Sequence, residues 1–135
     1  MKKNISSLYS KKVMEHFTHP HNMGTIKNPS GKGRVGNPVC GDLMELQIKV
    51  EKKAGKEYIK EAKFQTFGCG AAIATSSMLT DMIVGKDLAK LGEVSNKSIV
   101  KSLDGLPPVK RHCSVLAEEA LIKAVADYRK KDKQK

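Results

Sequence analysis

At 135 residues, with 39% apolar and 29% charged side chains, the chain has the make-up of a soluble globular protein able to bury its own core. No run approaches the roughly 20 apolar residues of a membrane helix, and Met1-Lys2-Lys3 leads into no long apolar core, so no membrane role or signal peptide is expected and the location is read as cytoplasmic. The net charge of +11 is spread along the chain and the few aromatics (4%) are not interleaved with it, which favours a solvated basic surface over a nucleic-acid face.

In chain order, Ile5, Leu8, Tyr9, Val13, Met14 and Phe17 form a helical stripe that ends near Thr18-His19-Pro20. His21 to Pro38 is rich in glycine and reads as a long loop with one short strand around Lys32–Val35. Met44, Leu46, Ile48 and Val50 then alternate with polar residues as a half-buried strand, and Lys53-Ala54-Gly55-Lys56 makes a turn. A second strand from Tyr58 to Phe67 has Ala62, Phe64 and Thr66 on its inner face, completing an antiparallel hairpin. After Gly70, the residues Ala71, Ala74, Met78 and Met82 recur at helical spacing, flanked by Leu79 and Ile83, with Gly85 as the stop. A short helix around Asp87–Leu91 and another from Ser95 to Leu103 follow, the latter capped by Ser95 and closed by Gly105. The last helix carries Leu116, Ala120, Leu121, Ala124, Val125 and Tyr128 on one face, and the basic tail from Arg129 to Lys135 is expected to fray. With no internal repeat and no second domain, residues 1–135 read as one domain.

Three cysteines are too few and too odd in number for a secreted disulfide framework, so ligand or nucleophile roles come forward. Cys40 lies just before the first strand of the hairpin and Cys69 just after the second, and a hairpin brings its open ends together. Cys69 and Cys113 fall beside predicted helix N-termini, where the dipole and free N–H groups favour thiolate. Lys110 and Arg111 add positive charge beside Cys113. Asp42 offers an oxygen and His112 a nitrogen, so three cysteines plus either one make a tetrahedral set for zinc or iron. The stretch Leu106-Pro107-Pro108-Val109-Lys110 is stiffened by its two prolines and leads directly to that imidazole and thiol. His16, His19 and His21 have no cysteine near them and read as surface or capping residues. Gly31-Lys32-Gly33 lacks the ending of a phosphate loop.

At these residues the chain resembles the IscU/NifU-type iron–sulfur cluster assembly scaffolds. The matching pieces are Tyr9-Ser10-x-Lys12-Val13, Pro20-His21-Asn22-Met23-Gly24, Gly36-Asn37-Pro38-Val39-Cys40-Gly41-Asp42, Phe67-Gly68-Cys69-Gly70-Ala71 and Leu106 to Cys113. The resemblance implies an α+β fold, a three-stranded antiparallel sheet with helices packed on one face, and a cluster site at one end. It places Cys40, Asp42, Cys69, His112 and Cys113 on ligand positions, Lys110 next to the site, and Leu106–Lys110 on a segment gripped by an ATP-driven chaperone with its co-chaperone. It further implies sulfur from a PLP-dependent cysteine desulfurase, with Cys113 as the expected persulfide acceptor. Separate donors would supply iron and electrons, a 2Fe–2S cluster would be held transiently, and apo iron–sulfur proteins would receive it. The protein would be a monomer or a cluster-linked homodimer, a carrier rather than an enzyme, able to bind zinc in the same ligands. The alternative, a zinc-bound sulfur acceptor of the SufU type, is marked by an insertion before the third cysteine and usually by the lack of the adjacent histidine. This chain has His112 and no evident insertion.

Overall fold

Alternation of apolar and polar residues builds the centre of the molecule. In the computed structural model, which describes residues 10–37, 42–67, 70–106 and 112–133, the strands β1 (Gly31–Asn37), β2 (Asp42–Lys53) and β3 (Lys56–Phe67) form an antiparallel sheet in the order β1-β2-β3. The β2–β3 turn is made by Ala54 and Gly55, both at positive φ (54° and 80°), the twist that matches a tight hairpin. Met44, Leu46 and Ile48 of β2 are buried on the same face as Ala62 and Phe64 of β3, the face expected from the alternation.

Strict alternation fails at one place. Lys49 pairs with Glu61 but Val50 pairs with Ile59, so Lys60 is the extra residue of a β-bulge. The bulge turns Ile59 inward three residues before Ala62, and both are fully buried. β1 also runs longer than expected, gaining Gly31 at its start and Gly36 and Asn37 at its end through their pairing with β2.

Two helices cover the buried face, α2 (Gly70–Ile83) and α4 (His112–Lys133); α3 (Asn96–Ser102) packs on both of them and α1 (Lys11–Thr18) on α2. α4 lies along β1 at unusually close range. A Cβ placed on Gly31 would come 2.3 Å from the Ala124 carbonyl oxygen, and one on Gly33 would come 2.1 Å from that of Ala120. The small residues Ala117, Ala120 and Ala124 on the helix and the two glycines on the strand make this approach possible. The helix also continues to Lys133, past the point where fraying is expected at Arg129. Arg129 pairs with Glu57 at 3.7 Å and Lys131 with Asp127 at 3.0 Å, which carries the last turns.

α2 is buried on nearly every side, and its inward face centres on Leu79 and Ile83, with Met78 and Met82 packed at the edge of the core. Beyond it the chain turns at Gly85 (φ 85°) into a 3-10 helix (Leu88–Glu93), then into α3, whose Ser95 and Ser98 form a reciprocal capping box. The long loop before β1 crosses the opposite face of the sheet. It pairs with Phe64 at one edge, through the Gly24 N–H on the Phe64 carbonyl at 2.8 Å. It then passes over Gln47, whose Oε1 accepts from the Ile26 N–H at 2.7 Å, and reaches β1.

α1 starts at Ser10, whose hydroxyl accepts from the Val13 N–H. The residues that would extend its stripe backward, Ile5 to Tyr9, lie outside the described residues. Its inward face is Val13 and His16 rather than Met14 and Phe17. His16 is only 5% exposed, which overturns its reading as a surface residue; α1 sets it against Ser77 of α2. His19 caps the end of α1 as expected of a capping residue.

Candidate metal centre

One end of the sheet gathers several chain junctions. Asp42 opens β2 paired with Asn37, the last residue of β1, and the next residue, Leu43, faces Phe67, the last residue of β3. The Thr66 hydroxyl donates to the Leu43 carbonyl at 2.5 Å and ties the two strands at this end. α2 begins at Gly70, three residues past Phe67.

α4 starts at the same end. Its contacts run against the strand direction, Gly31 opposite Tyr128 and Ala124, Gly33 opposite Ala124 and Ala120. Two strand residues advance the chain about as far as four helical ones, so the helix start at His112 and Cys113 comes level with the end of β1. A direct contact agrees: the Thr75 hydroxyl of α2 donates to the Cys113 carbonyl at 3.4 Å. Cys113, 2% exposed, is thus buried in the first turn of α4. Phe67, by contrast, is 71% exposed and leaves an apolar ring beside this end.

Of the residues singled out by sequence, Cys113 is described with its side chain, and Asp42 and His112 by their place in the backbone. Cys40, Cys69, Pro107, Pro108, Val109, Lys110 and Arg111 lie outside the described residues. Their neighbours do not: Asn37 and Asp42 bracket Cys40, Phe67 and Gly70 bracket Cys69, and Leu106 and Cys113 bracket the proline segment. Leu106 is buried in the core. Thr75 is the residue that sequence reading missed here. Nothing in an Ala- and Ser-rich helix marks one threonine as the contact to another helix start.

A second cluster of donors stands on α1 and α2. The Nδ1 of His16 shares a 2.6 Å hydrogen bond with the Ser77 hydroxyl, and the same oxygen accepts from the His21 N–H at 2.8 Å. His21 Nδ1 lies 2.6 Å from Asp81 Oδ2, and the two imidazole rings are 4.6 Å apart, tilted by 49°. Burial, then the neighbouring His21, lower the pKa of His16, with Asp81 and Glu15 opposing.

The chain matches the family described as NifU-like N terminal domain over residues 8–135. It is 50% identical over 130 residues to the iron-sulfur cluster assembly scaffold protein IscU of Rickettsia prowazekii, covering 94% of this chain and 96% of that one. It is also 50% identical over 127 residues to iron sulfur cluster assembly protein 1, mitochondrial, of Debaryomyces hansenii, covering 92% and 69%. Among solved structures, an N-terminal NifU-like protein from Brucella abortus superposes with TM-score 0.70 at 16% identity, covering 94% of this chain and 98% of that one. A putative SUF-system scaffold from Fervidobacterium islandicum superposes with TM-score 0.71 at 20% identity, covering 90% and 99%. The two superpositions bear on the fold alone.

Proposed function

The chain belongs to the NifU-like N-terminal domain family, and on that premise we propose that it is a scaffold on which iron–sulfur clusters are assembled and from which they are passed on. It acts as a carrier, with residues 1–135 working as one scaffold domain. The observation that carries the chemistry is the gathering of Asp42, Phe67 and Gly70, which flank Cys40 and Cys69, with Cys113 itself at one end of the sheet.

In this reading Cys40, Cys69 and Cys113 supply thiolates and either Asp42 or His112 completes the set. Sulfur arrives as the persulfide of a cysteine desulfurase. The Cys113 thiolate attacks its terminal sulfur, a new S–S bond forms on Cys113, and the desulfurase thiol leaves. Reduction of that sulfur to sulfide draws on a separate electron donor, and iron on an iron donor. The 2Fe–2S cluster is the cargo, received finally by apo-proteins. Relatives occur in bacteria and in mitochondria, and no helix among the described residues is long and apolar enough to cross a membrane; the cytoplasm is the proposed place of action. The zinc-bound sulfur-acceptor alternative has less support, since the relatives at about half identity are scaffolds named IscU.

Anaerobic reconstitution with Fe²⁺, cysteine and a cysteine desulfurase tests the proposal. A visible chromophore that is lost on Cys40→Ser, Cys69→Ser or Cys113→Ser is the expected result. Sulfur transfer without any chromophore would establish the zinc-bound acceptor instead.

A further inference from the structure

We propose that His16, His21 and Asp81 form a second metal site, for one divalent first-row transition ion bound through nitrogen and oxygen, independent of the three cysteines. The three residues come from the last turn of α1, the turn after it and the last turn of α2, and one donor atom from each lies within 4.8 Å of the other two. Two imidazoles and a carboxylate are a donor set suited to zinc or ferrous iron, leaving the remaining positions to water.

His16 and Asp81 have their side chains held from behind, as metal ligands characteristically are, and His21 is fixed at its backbone. Ser77 Oγ bonds His16 Nδ1 and also accepts the backbone N–H of His21, so one buried hydroxyl positions both histidines. Asn22, held at φ 61°, donates its side-chain amide to Asp81 Oδ1 at 3.2 Å and to Thr80 Oγ1 at 3.1 Å. A simple surface ion pair would need only His21 and Asp81. Here a third group, His16, lies buried beside them, bonded to Ser77 and with its ring 4.6 Å from that of His21.

The pieces also divide into anchor and clamp. Bonds of about 2.1 Å need donors roughly 3.4 Å apart. The partly exposed side chains of His21 (41%) and Asp81 (37%) are free to close that gap, while His16 stays fixed in the core. The ion takes the place of the hydrogen bond between His21 Nδ1 and Asp81 Oδ2, with the ring proton of the neutral imidazole carried on Nε2.

The test is a Co²⁺ titration, with Zn²⁺ as competitor, of the full chain carrying Cys40→Ser, Cys69→Ser and Cys113→Ser. One equivalent should bind with nitrogen and oxygen d–d absorption and no thiolate charge-transfer band. His21→Ala or Asp81→Asn in that background should weaken binding roughly 10-fold or more. Absence of the bound equivalent, or binding unchanged by both substitutions, overturns the site. Should the cysteine-free chain fail to fold, imidazole-nitrogen NMR of the wild-type chain decides. Zn²⁺ must then shift both His16 and His21 while leaving His19 in place, and a spectrum in which neither moves refutes the proposal.

Discussion

Asp42 and Cys113 reach the same end of the sheet by different means. Asp42 is held there by strand pairing, opposite Asn37, and Cys113 by the first turn of a helix whose carbonyl is bonded to Thr75. A carboxylate among thiolates is the ligand that exchanges most readily on a soft metal cluster. If Asp42 acts as that ligand, Asp42→Ala should give a cluster that is slower to leave, read as a several-fold longer decay of the visible absorbance after reconstitution. Faster decay would remove Asp42 from this role. The identity of these residues was legible in the chain, because a carboxylate two residues from Cys40 and an imidazole beside Cys113 are chemical signals by themselves. His16 was not, because its meaning depends on Ser77, 61 positions away.

Among the elements, the β1–α4 contact governs where α4 points. Gly31 and Gly33 are the positions where the helix backbone touches the strand, so no side chain fits between them. Gly33→Ala puts a methyl 2.1 Å from the Ala120 carbonyl oxygen, and relieving that clash means lifting α4 away from the sheet. Overpacking of this kind costs about 1–3 kcal/mol or more. We therefore expect a clearly lower denaturation midpoint in urea, with cluster assembly impaired because the start of α4 shifts too. A midpoint unchanged within error would show that the contact yields easily. The hairpin was readable from its period-2 pattern and its Ala-Gly turn. The bulge at Lys60 and the role of Gly31-x-Gly33 were not, since a bulge leaves no residue-type signature in Lys and the glycines matter only through a helix 90 residues later.

For the whole molecule, the segment 107–111 runs between two buried anchors, Leu106 and Cys113. A partner that grips this segment therefore pulls on the core at one end and on a candidate ligand at the other. We expect Pro108→Ala with Val109→Ala to leave unassisted cluster assembly nearly intact but to abolish the stimulation of cluster transfer by an ATP-driven chaperone. Full stimulation in that double variant would sever the link between grip and release. The sequence by itself determined the hairpin, the main helices and the Ser95 cap, because these depend on periodicity and cap chemistry over short spans, while the three-stranded α+β fold was what the family resemblance implied. Only the tertiary structure decided which junctions meet at one end of the sheet, how closely α4 lies on β1, and that His16 and His21 face Asp81. Those are contacts between residues tens of positions apart. No local pattern encodes them, and they exist only once burial of the shared core has brought strands and helices into register.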